Sequence, residues 1–417
     1  MVLGETAAVT ETAPSSDQTR PDEERWLTPG VRGIGSASFL ADVGHEIPTA
    51  LLPSLLTSTL GAPAAALGAI EGVSDALAGA ARFGGGVLAD DPARRRKVAV
   101  GGYATTAVLG AATAAATAVW QVGVLRAAAW TARGLRVPAR NALLADIVPA
   151  KAYGRAYGFE RMMDNLGAIF GPLLALGLVA WVGVQWAIGL SVIPGLLAAA
   201  AIVYAIRHAP KAERRETVPL RVRVRPVLQG GLGRLLGAVA AFEIGNVAAT
   251  LLILRASEQL APGHGKDAAT SIALGLYVTY NVAATAASVP AGHLADKLGP
   301  RGPVLVLAAG VAAFALAYGM FAASTTVIAA LTVPFVLAGV GIGAVETAQH
   351  SAVAALAPTE LRGSAFGLLA TVQSFGNLAA STVAGVLWSA VSPNAAFAYL
   401  TVWMVLALAG LLWTARR

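Results

Sequence analysis

Apolar runs of about 20 residues alternate with short polar or Gly/Pro-rich breaks from residue 34 almost to the end of the chain. A helix needs about that length to cross ~30 Å of hydrocarbon. No strand-like alternation supports a barrel, and in lipid a helix satisfies its own backbone. The breaks predict spans over 34–58, 64–88, 98–119, 122–147, 157–180, 186–206, 234–256, 270–291, 302–322, 327–350, 364–388 and 394–414. The longest interruption, 207–233, holds Arg207, Lys211, Arg214, Arg215, Arg221, Arg223 and Arg225. The expected organisation is therefore a disordered cytoplasmic tail over 1–33, a six-helix bundle over 34–206, a basic cytoplasmic linker over 207–233 and a second six-helix bundle over 234–414. The tail is polar, lacks the basic start and short apolar core of a cleaved signal peptide, and has room for an interfacial turn at Trp26.

Composition agrees with the pattern. The chain is 56% hydrophobic and only 13% charged, against roughly 25% charged in soluble domains. The class is an all-α polytopic membrane protein. A net charge of +7 does not imply nucleic acid, because the basic residues lie in alternate connections and form no basic domain. Connections after spans two, four, six, eight and ten carry Lys or Arg, whereas those near 60, 120, 183, 325 and 392 carry none, and only the connection around 255–267 breaks the pattern by mixing Arg255 and Lys266 with Glu258 and Asp267. This asymmetry predicts both termini in the cytoplasm and insertion in the inner (plasma) membrane. Trp120, Trp181, Trp186 and Trp388 fall at the uncharged ends, where interfacial anchors or core packing would use them. With no cysteine, disulfides and thiolate metal sites are excluded.

Two charged hairpins repeat. Gly86-Val-Leu-Ala-Asp90 precedes Arg94, Arg95, Arg96 and Lys97, and Gly292-His-Leu-Ala-Asp296 precedes Lys297 and Arg301. Pro149, Gly154, Gly158, Asp164 and Gly167 recur 209 residues on as Pro358, Gly363, Gly367, Gln373 and Gly376. Two like-oriented copies imply halves related by an axis along the membrane normal. These cassettes resemble the G-x-L-a-D-r-x-G-r-r signature of the major facilitator superfamily. The copy at 292–301 is close to it, while the first has Asp91 where a base is usual and Ala93 where Gly is usual. Leu125-Arg126 resembles the family's Arg motif in span four, with Trp130 at the usual Gly position. Gly167-x-x-x-Gly171-Pro172-x-x-Ala175 resembles the motif of its proton-coupled antiporters, with Ala175 and Leu176 replacing the final glycines. The resemblance implies two six-helix bundles that alternate access to a central cavity.

Within the spans, charge needs a reason, since each costs about 2.5–3.5 kcal/mol at depth on insertion scales. Asp90 and Asp296 suit a gating role: each can accept from a neighbouring helix N-terminus and pair with basic residues of its own loop. Asp146 is placed to join the first latch through Arg94 or Arg95. The gating set is Gly86, Asp90, Arg94, Arg95, Asp146, Gly292, Asp296, Lys297 and Arg301. In span one Asp42, His45 and Glu46 share a helical face. A carboxylate at Glu46 either carries a proton, with His45 relaying it, or forms a static ion pair to an Arg of span four, and Pro48 should bend the helix there. Arg126, Arg133 and Arg140 recur every seven residues with Arg136 beside the stripe, so they must face a cavity or carboxylates. Asp42, Glu46, Glu71, Asp75 and Asp164 nearly balance Arg82, Arg126, Arg133, Arg136, Arg140 and Arg161. Arg126 and Arg133 are candidates for an anionic substrate group, because the guanidinium fork matches carboxylate or phosphate. Asp164 and Glu243 complete the proton-carrier candidates. Asn165, Asn246, Tyr277, Tyr280, Asn281, Gln373 and Asn377 are candidates for hydrogen bonds to substrate, and Glu346 and His350 read as a local pair.

The function expected is secondary active transport: export of a small amphipathic or anionic organic compound by proton antiport through alternating access. The alternatives are proton symport or facilitated uptake of a metabolite, and, from another class, a non-transporting membrane sensor or assembly partner. No Walker-type phosphate loop, nucleophile–base pairing or metal spacing is present in the sequence. No enzymatic activity, cofactor or metal is therefore expected. The expected partners are protons, a small-molecule substrate and the lipid bilayer, and the chain is expected to act as a monomer.

Overall fold

A computed structural model describes residues 26–209 and 224–416. The basic linker residues Lys211, Arg214, Arg215, Arg221 and Arg223, tail residues 1–25 and Arg417 lie outside the described residues. Fifteen helices form the described chain. The first bundle contains α1 (Pro29–Ser54), α2 (Ala64–Leu88), α3 (Pro92–Ala112), α4 (Val119–Ile147), α5 (Tyr153–Val182), α6 (Val184–Leu190) and α7 (Val192–Arg207). A single turn, α8 (Val224–Val227), precedes the second bundle. That bundle comprises α9 (Gly230–Gly245), α10 (Ala249–His264), α11 (Lys266–Lys297), α12 (Gly302–Ala322), α13 (Ile328–Leu356), α14 (Arg362–Ala390) and α15 (Pro393–Arg416).

Most expected spans map one to one, with three physical differences. Helix α1 begins at Pro29 rather than 34, because Thr28 caps it by accepting from Val31 N and Pro29 starts its first turn. It runs through Pro48 and Pro53 and continues as a wider π-type turn over Leu55–Thr59. The expected continuous span 234–256 is two helices, α9 and α10, separated at Asn246–Ala248. Side chains of the same bundle satisfy the freed backbone: Tyr318 Oη accepts from Val247 N at 3.4 Å, Ser381 Oγ accepts from Ala248 N at 3.0 Å, and Asn377 Nδ2 donates to Asn246 O at 2.8 Å. Unwound backbone at membrane depth survives only where protein or a cavity satisfies it. Span six likewise divides at Ser191 into α6 and α7.

Eight segments, counting α6–α7 and α9–α10 once each, are apolar and long enough to cross a membrane by composition alone. The helices that fall short are α1, α2, α4 and α14. Each carries polar side chains that a lipid-facing helix would not tolerate, and all four line the central cavity described below. Trp120, Trp181 and Trp186 are exposed, as interfacial anchors are, whereas Trp388 is half-buried and packs on Phe397 at 5.9 Å between centroids.

The 209-residue repeat is visible in the backbone. Helix α5 starts at Tyr153 and α14 at Arg362, each after a short 3₁₀ turn. The bundles meet where α2 crosses α14 and α5 crosses α11. At the second crossing, a Cβ on Gly292 would strike Gly154 O and its carbonyl carbon. At the first, Gly86 packs on Gly367 Cα and Gly363 O, 2.7 Å from where its own Cβ would sit. Glycine is required here because backbone meets backbone.

Candidate functional site

The two crossings close one end of the molecule, the end bearing the cassettes. Asp90 Oδ1 accepts from Ser364 N at 2.7 Å and its other oxygen accepts from the Ser364 hydroxyl. Asp296 accepts from Gly154 N at 2.7 Å, Arg155 N at 3.0 Å and Arg155 Nε at 2.8 Å. Each acid thus binds the first turn of a helix in the opposite bundle, where free N–H groups and the helix dipole favour negative charge. Arg95 pairs with Asp146 and donates from Nε to Ala89 O at 2.7 Å. Asp146 also reaches Arg362 of the other bundle at 3.3 Å.

Several gating expectations need correction. Lys297 and Arg301 stand exposed; Arg155, from the other bundle, supplies the cation at Asp296. Arg94 does not join Asp146 but lies 3.8 Å from Asp91. Asp91, the departure from the family pattern, caps α3 by accepting from Ala93 N at 2.8 Å and Arg94 N at 3.2 Å. Arg155, Ser364 and Arg362 were not singled out in the sequence, because their partners are some 140 to 270 positions away. The signal for the first two was there: they occupy equivalent places in the 209-residue repeat.

Inward from the latch, the rings of Tyr157, His350 and Phe366 stack with centroids 5.8–6.1 Å apart. Beyond them lies a cavity of about 560 Å³ walled by both bundles. Away from the cassettes it opens: Asp75 is exposed, and a Cβ on Gly72 would meet nothing within 4 Å.

Asp42, Asp164, Glu243, Arg133, Asn246, Gln373 and Asn377 line this cavity. Arg133 lies 3.4 Å from Asp42 and 2.8 Å from His45 Nε2. Asp164 sits between Arg140 at 3.3 Å and Arg161 at 3.2 Å. The amide donors Asn246 Nδ2, at 3.1 Å, and Gln349 Nε2, at 3.5 Å, bind the Glu243 carboxylate. Among the described residues no Lys or Arg pairs with it. Gln373 Nε2 donates in turn to Gln349 Oε1 at 2.8 Å, so a chain of amides runs from the cavity wall to Glu243.

Arg126, Asn165, Tyr277, Tyr280, Asn281, His45 and Glu46 lie off the cavity wall. Arg126 is buried on Glu71 at 2.9 Å and Thr49 at 3.1 Å, with its guanidinium 3.4 Å from the Trp130 ring centroid. Trp130, in place of the family's Gly, clamps that arginine while its indole N–H donates to Asp75 at 2.9 Å. Tyr277 and Tyr280 stack on each other at 5.7 Å, and Asn281 Nδ2 donates to Tyr277 O at 3.0 Å within its own helix. Asn165 Nδ2 is buried outside the cavity without a hydrogen bond. Glu46 contacts His45 Nδ1 at 3.5 Å and pairs with no Arg of α4, and neither residue reaches the main cavity. Arg136 stands over the Tyr103 ring at 4.0 Å. Glu346 and His350 do not form the expected side-chain pair: His350 Nδ1 contacts the Glu346 backbone carbonyl, while the Glu346 carboxylate faces Arg161 across the bundles at 3.8 Å.

The sequence reading missed Glu160. It is 1% exposed, binds Arg140 and Arg161 at 2.7 Å and accepts from Ser38 Oγ at 2.7 Å. It is the anionic centre that lets two arginines sit in the core.

Two six-helix bundles sharing a polar cavity sealed at one end by reciprocal acid–helix latches define a membrane transporter of the alternating-access kind. The Major Facilitator Superfamily model matches residues 34–258 and 235–417, and the chain belongs to that superfamily. It is 26% identical over 395 residues to an uncharacterised MFS-type transporter of Methanocaldococcus jannaschii, covering 94% of this chain and 96% of that one. A bacterial homologue of the iron transporter ferroportin, in an outward-facing state, shares the fold at TM-score 0.75 and 14% identity, covering 93% of this chain and 100% of that chain. The human organic anion transporter MFSD10 does so at TM-score 0.68 and 14% identity, covering 91% and 99%.

Proposed function

We infer that this transporter exports a small amphipathic or anionic organic compound in exchange for protons. It works as a monomer in the plasma membrane with its termini and cassettes cytoplasmic, as the placement of Lys and Arg in alternate connections supports. The conformation described is then open to the outside.

The observation that carries the reading is the amide chain from Gln373 to Gln349 to Glu243. With Glu243 ionised, Gln349 must donate to it, and Gln373 donates to Gln349, leaving the Gln373 carbonyl oxygen for a donor on the substrate. With Glu243 protonated, its O–H becomes a donor and the favoured direction of the chain reverses. A substrate donor at Gln373 and a proton on Glu243 therefore oppose each other, which is the requirement for antiport. Burial of an ionised carboxylate without a cation is costly, so an empty carrier closes more readily with Glu243 protonated.

Proteoliposome uptake of dansylglycine, which has a sulfonamide N–H donor and a carboxylate, tests this. A lumen-acid gradient should drive accumulation, and Glu243→Gln should abolish the dependence on the gradient while retaining binding. Accumulation driven only by a lumen-alkaline gradient would establish symport and overturn the reading.

A further inference from the structure

Five arginines line the cavity, and their partners differ in kind. Arg133, Arg140 and Arg161 each have a carboxylate within 4 Å. Arg136 is spent on the face of Tyr103. Arg82, on α2, has only neutral acceptors, and both lie in the other bundle: its Nη1 donates to Ala370 O at 3.3 Å and to the Ser374 hydroxyl. Its Nε is buried without any hydrogen bond, and Nη2 makes none with the described residues. Nε is enclosed by protein, so Nη2 is the donor of this guanidinium left for a ligand, and a guanidinium N–H suits a carboxylate oxygen.

We propose that Arg82 is the anchor for the carboxylate of the transported compound, held on the unoccupied Nη2 while Nη1 stays on α14. This assigns the substrate class as amphipathic organic carboxylates, and it rests on the reading of this cavity as the transport site. Among the described residues Arg82 has no carboxylate at ion-pair distance, so a bound anion supplies a close charge and an acceptor for Nη2 together. Gln373 neighbours Ser374 on α14, which places a donor group of the same ligand against the amide chain. Trp130 and Phe375 give its apolar body a surface. A cavity of about 560 Å³ lies within the range of roughly 300–1,000 Å³ typical for small-molecule sites.

Ser374 supplies a second, independent handle. Its hydroxyl accepts from Nη1 and donates to Ala370 O at 2.9 Å, tying Arg82 to α14. Removing it loosens that tie without removing the charge.

Binding is measured in detergent with no gradient, by fluorescence of the dansyl conjugates of glycine, leucine and phenylalanine and of their matched primary amides. Wild type should bind at least one carboxylate about tenfold or more tighter than its amide, the scale of a charged hydrogen-bonded pair. Arg82→Gln should erase that preference while leaving amide binding and the melting temperature near wild type. Arg82→Lys should restore part of it. Ser374→Ala, which keeps the charge and leaves Nη2 in place, should change the carboxylate preference less than Arg82→Gln does. A carboxylate preference that survives in Arg82→Gln, or its absence from wild type for all three conjugates, overturns the proposal. The assay applies no proton gradient and is run at one fixed pH, so these failures are separate from a failure of gradient-driven uptake or of Glu243→Gln.

Discussion

Asp296 holds Arg155 by two bonds, to its backbone N–H and its guanidinium, and accepts a third from the Gly154 N–H beside it at the start of α5. Its counterpart Asp90 has the Ser364 N–H and hydroxyl and no cation of the opposite bundle. The latches are topologically equivalent and chemically unequal. Asp296→Asn should therefore shift the population toward the cassette-open form by about 1–3 kcal/mol, and more than Asp90→Asn. Distances between spin labels on the cassette ends of α2 and α14, and of α5 and α11, read that shift; equal shifts for the two variants would contradict the inequality.

Gly292→Ala places a methyl group on the Gly154 carbonyl, and backbone cannot move aside as a side chain can. The variant should fold, remain open on the cassette side and lose at least about tenfold in transport rate, since each tenfold needs only about 1.4 kcal/mol. Cross-linking between cysteines placed on α5 and α11 near the crossing should be slow in the variant and fast in wild type.

Glu160 is nearly inaccessible and serves Arg140, Arg161 and Ser38 at once. Glu160→Gln leaves two buried guanidiniums sharing Asp164, so thermal unfolding should report a loss of about 3–5 kcal/mol. Glu71→Gln, which removes a carboxylate one-third exposed, should cost less. Similar melting temperatures for the two variants would argue against Glu160 as the centre of the network.

Asp90 lies outside the spans, and its acidity sets a pH response. Burial pushes its carboxyl above the ordinary 3.8, against the pull of the Ser364 hydroxyl and N–H. A raised value means that the latched fold takes up the proton more readily than the unfolded chain. The stability linked to this group is fully present below the ordinary value and is lost as pH rises through the raised one. The melting temperature of wild type relative to Asp90→Asn should therefore rise on going from about pH 7 to about pH 4.5. A constant difference across that range would show that Asp90 does not titrate there.

Hydrophobic block length, the alternation of basic connections and the paired cassettes were sufficient for the polytopic class and the two bundles. Each is a local or repeated pattern, and lipid imposes it residue by residue through hydrogen bonding and transfer cost. The near balance of acids and bases in the first bundle also announced paired networks. Which arginine pairs with which acid did not follow, because one helical face offers several partners and only packing selects among them. Of the two arginines favoured for an anion on sequence grounds, Arg126 is consumed by Glu71 and Trp130 and Arg133 faces Asp42, while Arg82 is left with neutral acceptors. The break at Asn246 was hidden for a similar reason: Gly245-Asn246 inside an apolar run permits unwinding, but Tyr318, Asn377 and Ser381 make it stable. The sequence by itself thus determined the polytopic helical class and its two repeated halves. Only the tertiary structure decided which charges are neutralised and which stay free to meet a ligand, because compensation of a buried charge depends on distances of a few ångströms between residues far apart in the chain.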